Sequence, residues 1–152
     1  AQWKAAQYQI TYNLNGGKNN KKNPKTYKIT SKTIKLSNPS KKGYVFKGWY
    51  CDKKCTKKVT SIKKGSTGKV TLYAKWAKEK YTITYKLNGG KNNKKNLKTY
   101  TITSKMIKLA APTRKGYVFK GWYRDKKCTR KVTSIKKGST GKITLYAKWK
   151  KK

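Results

Sequence analysis

Apolar residues along this chain recur with a period of two, in short bursts separated by polar, basic stretches. In "YTITYKL", Tyr81, Ile83, Tyr85 and Leu87 fall on one side and Thr82, Thr84 and Lys86 on the other, which is the pattern of a half-buried strand. "NGG" at Asn88–Gly90 follows, where a positive φ is cheap and the chain can turn. A basic loop, read as free of core residues, runs to Lys98 and precedes short predicted strands at Tyr100–Thr103 and Met106–Leu109. Pro112 and Gly116 punctuate the next turn. "GYVFKGWY" (116–123) is the aromatic heart, rich in residues suited to a packed, pleated surface. Val132–Ile135, the turn "KGSTGK" and a last strand complete the pattern, with Ile143, Leu145, Ala147 and Trp149 sharing one face. No stretch shows a convincing helical period, so any helix is expected to be short.

The same pattern occurs twice. Residues 8–76 lie on residues 81–149 without a gap, and 57 of the 69 positions are identical. A fixed period of this kind is the mark of an array. Trp3, Trp76 and Trp149 share the same spacing of 73, so residues 1–7 read as the tail of a preceding copy. The expected organisation is repeat 1 at 8–76, a short linker at 77–80, repeat 2 at 81–149 and a basic tail at 150–152. A four-residue linker has little reach, and like charges on both sides favour an extended array.

Charge changes the picture. The chain carries 40 Lys, 3 Arg, 2 Asp, 1 Glu and no His, for a formal +40. That composition alone reads as disordered, but 5 Trp, 12 Tyr and the strict alternation predict a folded chain. Codon bias toward Lys and Asn accounts for part of the excess and not for the scarcity of Asp and Glu. A selected cationic surface is the preferred reading. No apolar run reaches the roughly 18 residues that a membrane-spanning helix needs. Neither a start Met nor a charged-then-apolar leader is present, so any signal peptide is expected outside this stretch.

Catalysis finds few materials here. General acid–base work draws on His or tuned carboxylates, and metal sites on clustered His, Cys, Asp or Glu. Asp52 and Asp125 are equivalent loop positions 73 residues apart, and nothing marks one lysine among forty as a nucleophile. No enzyme, metal or cofactor is expected. Cys51, Cys55 and Cys128 admit two readings. Cys55 and Cys128 are small half-buried residues, or the cysteines are thiols whose pKa nearby cations lower, with a Cys51–Cys55 disulfide and Cys128 open to another chain. Trp49, Trp76, Trp122 and Trp149 could stack on bases or sugars, but their place in the apolar alternation assigns them to the core.

"YTITYKLNGG", "GYVFKGWY" and "KGSTGKITLYAKW" resemble the Listeria–Bacteroides repeat of the internalin B-repeat type, over both copies and the stub "AQW". The resemblance implies a mainly-β or small α+β unit, β-grasp-like (SUMO-like), strung in tandem in secreted or wall-anchored bacterial surface proteins. The lysine load departs from the family pattern, so partners do not carry over automatically.

The lysines recur in clusters. Lys18, Lys21, Lys22 and Lys25 follow the first turn, and Lys53, Lys54, Lys57 and Lys58 surround the cysteines. Lys91, Lys94, Lys95, Lys98, Lys126, Lys127, Arg130 and Lys131 repeat them in the second copy. Net charge of this size destabilises the compact state by self-repulsion, so anions that relieve it should bind. Lys is a hydrated point charge and Arg a bidentate fork; forty against three suggests diffuse attraction to a polyanion. Candidate partners in the setting the resemblance implies are wall teichoic acid, glycosaminoglycans, acidic membranes and extracellular DNA. A purely structural spacer or assembly subunit, in contact with neighbouring repeats, is the alternative. A nucleic-acid-coating protein is a third reading.

Overall fold

The first long strand of each repeat pairs in parallel with the last, and a parallel pair can be joined only by a crossover. Everything between them therefore serves as that crossover. The computed structural model describes residues 4–152; residues 1–3 of the expected stub, with Trp3, lie outside the described residues. The first repeat comprises β1 (Gln7–Asn13), β2 (Thr26–Lys28), β3 (Ile34–Lys35), β4 (Tyr44–Tyr50), β5 (Lys58–Val59), β6 (Ser61–Ile62) and β7 (Val70–Lys78). The second comprises β8 (Tyr81–Lys86), β9 (Thr99–Tyr100), β10 (Ile107–Lys108), β11 (Tyr117–Tyr123), β12 (Lys131–Val132), β13 (Ser134–Ile135) and β14 (Ile143–Lys151).

Each unit builds one five-stranded sheet, ordered β2-β1-β7-β4-β5 and β12-β11-β14-β8-β9, plus a two-stranded ribbon, β3–β6 and β10–β13. In the second unit Ile83 sits opposite Ile143 and Tyr85 opposite Leu145. The core there gathers Ile83, Tyr100, Trp122, Ile135, Leu145 and Ala147, with Tyr81, Tyr85, Phe119 and Trp149 packed against it. The first unit closes an equivalent core of its own around Ile10, Tyr27, Trp49, Ile62, Leu72 and Ala74. The mainly-β expectation holds. Its small α component finds no element among the described residues, because Ser, Thr, Pro and Lys fill the crossovers and no 3.6-residue apolar stripe exists.

Boundaries differ from the sequence expectation where pairing demands it. The division between the two units falls after Lys78. Ala77 and Lys78, expected in the linker, are strand residues because Val45 and Tyr44 pair with them. The strand expected at Tyr100–Thr103 stops at Tyr100, where Ser104 Oγ accepts the Thr101 N–H (2.9 Å) and turns the chain. Val132–Ile135 divides into β12 and β13, since the intervening Thr133 carbonyl accepts the Leu109 N–H.

Two glycines are dictated by the tryptophans and the sheet. Trp149 Nε1 donates to the Leu87 carbonyl (2.9 Å), which draws the ring so close that a Cβ on Gly90 would lie 2.3 Å from Cζ2. Gly121 carries φ +134° at a bulge in β11, and the Lys131 stem crosses it where a Cβ would lie 2.6 Å from Cε. Only glycine is comfortable there.

The loop from Lys91 to Lys98 does carry a core residue, contrary to the sequence reading. Asn96 is 8% exposed. Its side chain mimics a strand: Oδ1 accepts the Ala110 N–H (2.8 Å) and Nδ2 donates to the Ala110 carbonyl (2.9 Å). Trp122 Nε1 donates to that same carbonyl (3.0 Å). Asn92 Oδ1 accepts from Asn96 Nδ2 and from the Asn93 N–H, so neutral amides tie the lysine loop down from within. Asn23 does the same in the first unit.

The aspartates have an equally local task. Asp125 accepts the N–H groups of Thr129 and Arg130 and the Thr129 hydroxyl. These bonds, the threonine hydroxyl foremost, hold its carboxyl down at about 2 from an ordinary 3.8. Asp52 is arranged and shifted alike through Thr56 and Lys57.

Trp122→Ala removes a 2%-exposed ring, at a cost of about 3–5 kcal/mol, comparable to the stability of a domain this size. The second unit should unfold while the first melts as before. A melting curve identical to the parent's would show that the ring is dispensable. The aspartates predict the acid limb. A carboxyl depressed in the folded state stabilises above its unfolded pKa and loses that contribution as pH falls. Stability followed by circular dichroism should thus be flat from pH 7 to about 4 and decline toward about 2. Replacing both residues, Asp52→Asn and Asp125→Asn, should lower stability at pH 7 and flatten that decline. An acid limb unchanged in the double variant would contradict this account.

Candidate polyanion-binding surface

All sixteen cationic positions singled out in the sequence are exposed: Lys18, Lys21, Lys22, Lys25, Lys53, Lys54, Lys57 and Lys58, then Lys91, Lys94, Lys95, Lys98, Lys126, Lys127, Arg130 and Lys131. The fold does not gather them into one patch. In the second unit Lys98 leads into edge strand β9 and Lys131 lies on the opposite edge, β12. Four strand spacings separate those edges, roughly 19 Å. Lys91 is pinned through its backbone, which exchanges both hydrogen bonds with Thr113. Its side chain, like those of Lys94 and Lys95, projects from a loop held by asparagine. The first unit repeats the arrangement with Lys18 opposite Ser40.

The sheet adds cations and rings that the sequence clusters missed. Alternation along β14 buries Leu145 and Ala147 and turns Thr144, Tyr146 and Lys148 the other way. Pairing then sets Tyr123, Tyr146 and Lys86 in one row across three strands. Lys148 Nζ stands 5.7 Å from the Tyr123 ring centroid, a cation–π distance. The loop after β11 brings Lys126 to the same place, where Lys86, Asn88, Lys126 and Tyr146 surround a cavity of about 450 Å³. In the first unit Tyr50, Tyr73 and Asn13 form the equivalent row, with Lys75 over Tyr50 at 5.6 Å. The signal was present as the polar half of "TLYAKW", but only cross-strand register places those residues side by side.

The tryptophans are not a stacking platform. Trp49 and Trp122 are each 2% exposed. Trp76 and Trp149 are half-buried, and Phe46 and Phe119 meet them edge to face. The cysteine chemistry also differs from one of the two sequence readings. Cys51 and Cys55 stand as separate thiols, and Cys55 and Cys128 are half-buried at φ +55° and +56°. Burial foremost, then the adjacent Asp52 or Asp125 carboxylate, pushes the Cys55 and Cys128 thiols up, against a smaller pull from Lys75 or Lys148. Neighbouring cations therefore do not activate them. Among the described residues no group of three or more His, Cys, Asp or Glu could hold a metal, and no helix is long and apolar enough to cross a membrane.

Comparison with known proteins gives the repeat its context. The chain is 32% identical over 149 residues to a Gly-rich membrane protein of Evansella cellulosilytica, covering 98% of this chain and 17% of that protein. A second membrane protein of that organism is 30% identical over 149 residues, 98% of this chain and 22% of the relative. Internalin H of Listeria monocytogenes is 36% identical over 115 residues, 74% of this chain and 20% of its own length. The chain thus spans 17–22% of the length of these relatives. No solved structure matches it. The Listeria–Bacteroides repeat domain model matches residues 8–75 and again residues 81–148, and the chain belongs to that family as two tandem copies.

Proposed function

We propose that this chain is a non-catalytic module of an extracellular or wall-associated surface protein, binding anionic polymers through diffuse electrostatics. The observation that carries the reading is the solvation of the charge. Every singled-out cation is exposed, while Asp52 and Asp125 spend their oxygens on backbone N–H groups and a threonine hydroxyl. Forty-three basic groups face three acids, and an unneutralised surface of that kind concentrates polyanions around it. The dispersal of cations over both sheet edges and the outer sheet face fits a flexible polymer better than one rigid ligand. The names of the relatives, membrane proteins and an internalin, support a surface setting.

A spacer reading is favoured by the small share of each relative that this chain spans. In it the lysines keep an array soluble and extended, and adhesion resides elsewhere in the protein. Binding measurements separate the two.

The chain should bind heparin, double-stranded DNA and poly(glycerol phosphate) teichoic acid alike, weakly ranked and strongly dependent on salt. On DNA, neutralising six to ten phosphates should lose roughly 10³–10⁵ in affinity between about 50 and 200 mM salt. Two tethered copies should outbind one through effective concentration. Replacing Lys91, Lys94, Lys95 and Lys98 by Gln should lower affinity and salt slope together without unfolding, because all four are exposed and Asn96 holds the loop. Failure to bind any polyanion at low salt would leave the spacer reading standing.

A further inference from the structure

The two repeats differ at twelve aligned positions, and the largest change of chemistry is Cys51 in the first for Arg124 in the second. Arg124 follows β11 directly and forms one wall of a cavity of about 370 Å³. Lys136, Ser134, Ser139 and Thr140 supply its other polar groups, and Val132, Ile135 and Ile143 its apolar floor. No carboxylate lines it.

The loop that forms the far wall is held in place. Tyr100, buried at 3% exposure, donates its hydroxyl hydrogen to the Gly141 carbonyl. The Gly138 N–H bonds to the Ile102 carbonyl (3.2 Å), and Ser139 Oγ donates to the Lys136 carbonyl (2.6 Å). Ser139 spends its hydroxyl hydrogen on that carbonyl and keeps its oxygen lone pairs, while Arg124 and Lys136 are exposed and Thr140 is half-buried beside them.

Seven of the eight lining positions recur in the first repeat as Val59, Ser61, Ile62, Lys63, Ser66, Thr67 and Val70, six of them identical. The eighth is Cys51. Thr140 is half-buried and Ile143 buried, where Thr67 is exposed and Val70 half-buried, so the second copy's pocket is the more enclosed.

We infer that this pocket binds a single tetrahedral oxyanion, phosphate or sulfate, through Arg124, Lys136 and Thr140, giving the second repeat an oriented subsite that the first lacks. The guanidinium is planar and weakly hydrated, and it presents two parallel N–H groups to two oxygens of such an anion. Lysine cannot reproduce that fork. The apolar floor excludes water from one side and strengthens the charged bonds on the other. The natural source of the anion rests on the polymer reading above, as a phosphodiester or sulfate group of the bound chain; the pocket itself is testable without it.

The test is nuclear magnetic resonance titration of the intact two-repeat chain with inorganic phosphate and, separately, sulfate, in about 0.15 M sodium chloride, where long-range attraction is screened. Saturable shifts are expected at Arg124 and at the amides of residues 138–141, with no saturation at residues 65–68. Arg124→Lys should weaken the anion about tenfold or more, and Arg124→Cys should abolish saturation. The reciprocal Cys51→Arg should create it in the first repeat. Equal responses in both repeats, or full retention in Arg124→Lys, would overturn the pocket in favour of uniform charge attraction. Poly(glycerol phosphate) and heparin then distinguish the sources, by displacing the small anion or not. Saturable phosphate binding that neither polymer displaces would uphold the pocket and count against the polymer reading. Polymer binding with no saturable small-anion site would do the reverse.

Discussion

The parallel pairing of the first and last long strands governs each repeat. Ile83 against Ile143 and Tyr85 against Leu145 join residues some sixty positions apart, and β11 then adds to the free side of β14. The apolar face is complete only when the whole repeat has been traversed, so half a repeat has no core to bury. Trp122 lies over that junction and donates to the Ala110 carbonyl, the same oxygen that Asn96 uses. One backbone oxygen thereby links sheet, crossover and lysine loop. The interlocking explains how a unit of about 70 residues without a helix among its described residues can hold together against self-repulsion.

Strong positive charge also shapes the choice of polar residues inside the loops. Capping and turn-forming acceptors are commonly Asp or Asn. Here Asn92, Asn93 and Asn96 do most of that work with neutral amides, leaving the neighbouring lysines unpaired and available to solvent. Carboxylates persist at Asp52 and Asp125, where one side chain satisfies two N–H groups and a hydroxyl. The abundance of asparagine thus has a structural reason beside any codon preference. It preserves loop geometry without neutralising the surface.

Divergence between the copies follows the same division. Lys41 donates to the Asn15 carbonyl and lies over Tyr44, and its counterpart Arg114 stacks on Tyr117 at 3.7 Å. That exchange keeps a cation over the tyrosine and against the turn glycine, Gly16 or Gly89. Cys51 and Arg124, by contrast, are exposed just past the ends of β4 and β11, so the second copy could change its chemistry there without disturbing the fold.

By itself the sequence determined the tandem organisation, the mainly-β class and the inward residues Ile83, Leu145, Ala147 and Trp122. Those follow from a 73-residue self-match and a period-two alternation, both local or self-referential signals. It also marked every cluster lysine as exposed, because such a charge density has nowhere else to go. Only the tertiary structure decided that Asn96 is buried, that Ala77 and Lys78 are strand rather than linker, and that the cation clusters stand at opposite sheet edges. Each of these depends on which distant strand lies alongside, and register is a property of two segments at once. The row of Tyr123, Tyr146 and Lys86, and the cavity that Arg124 shares with Thr140, belong to the same class. Their residues are far apart in the chain, and no local pattern brings them together.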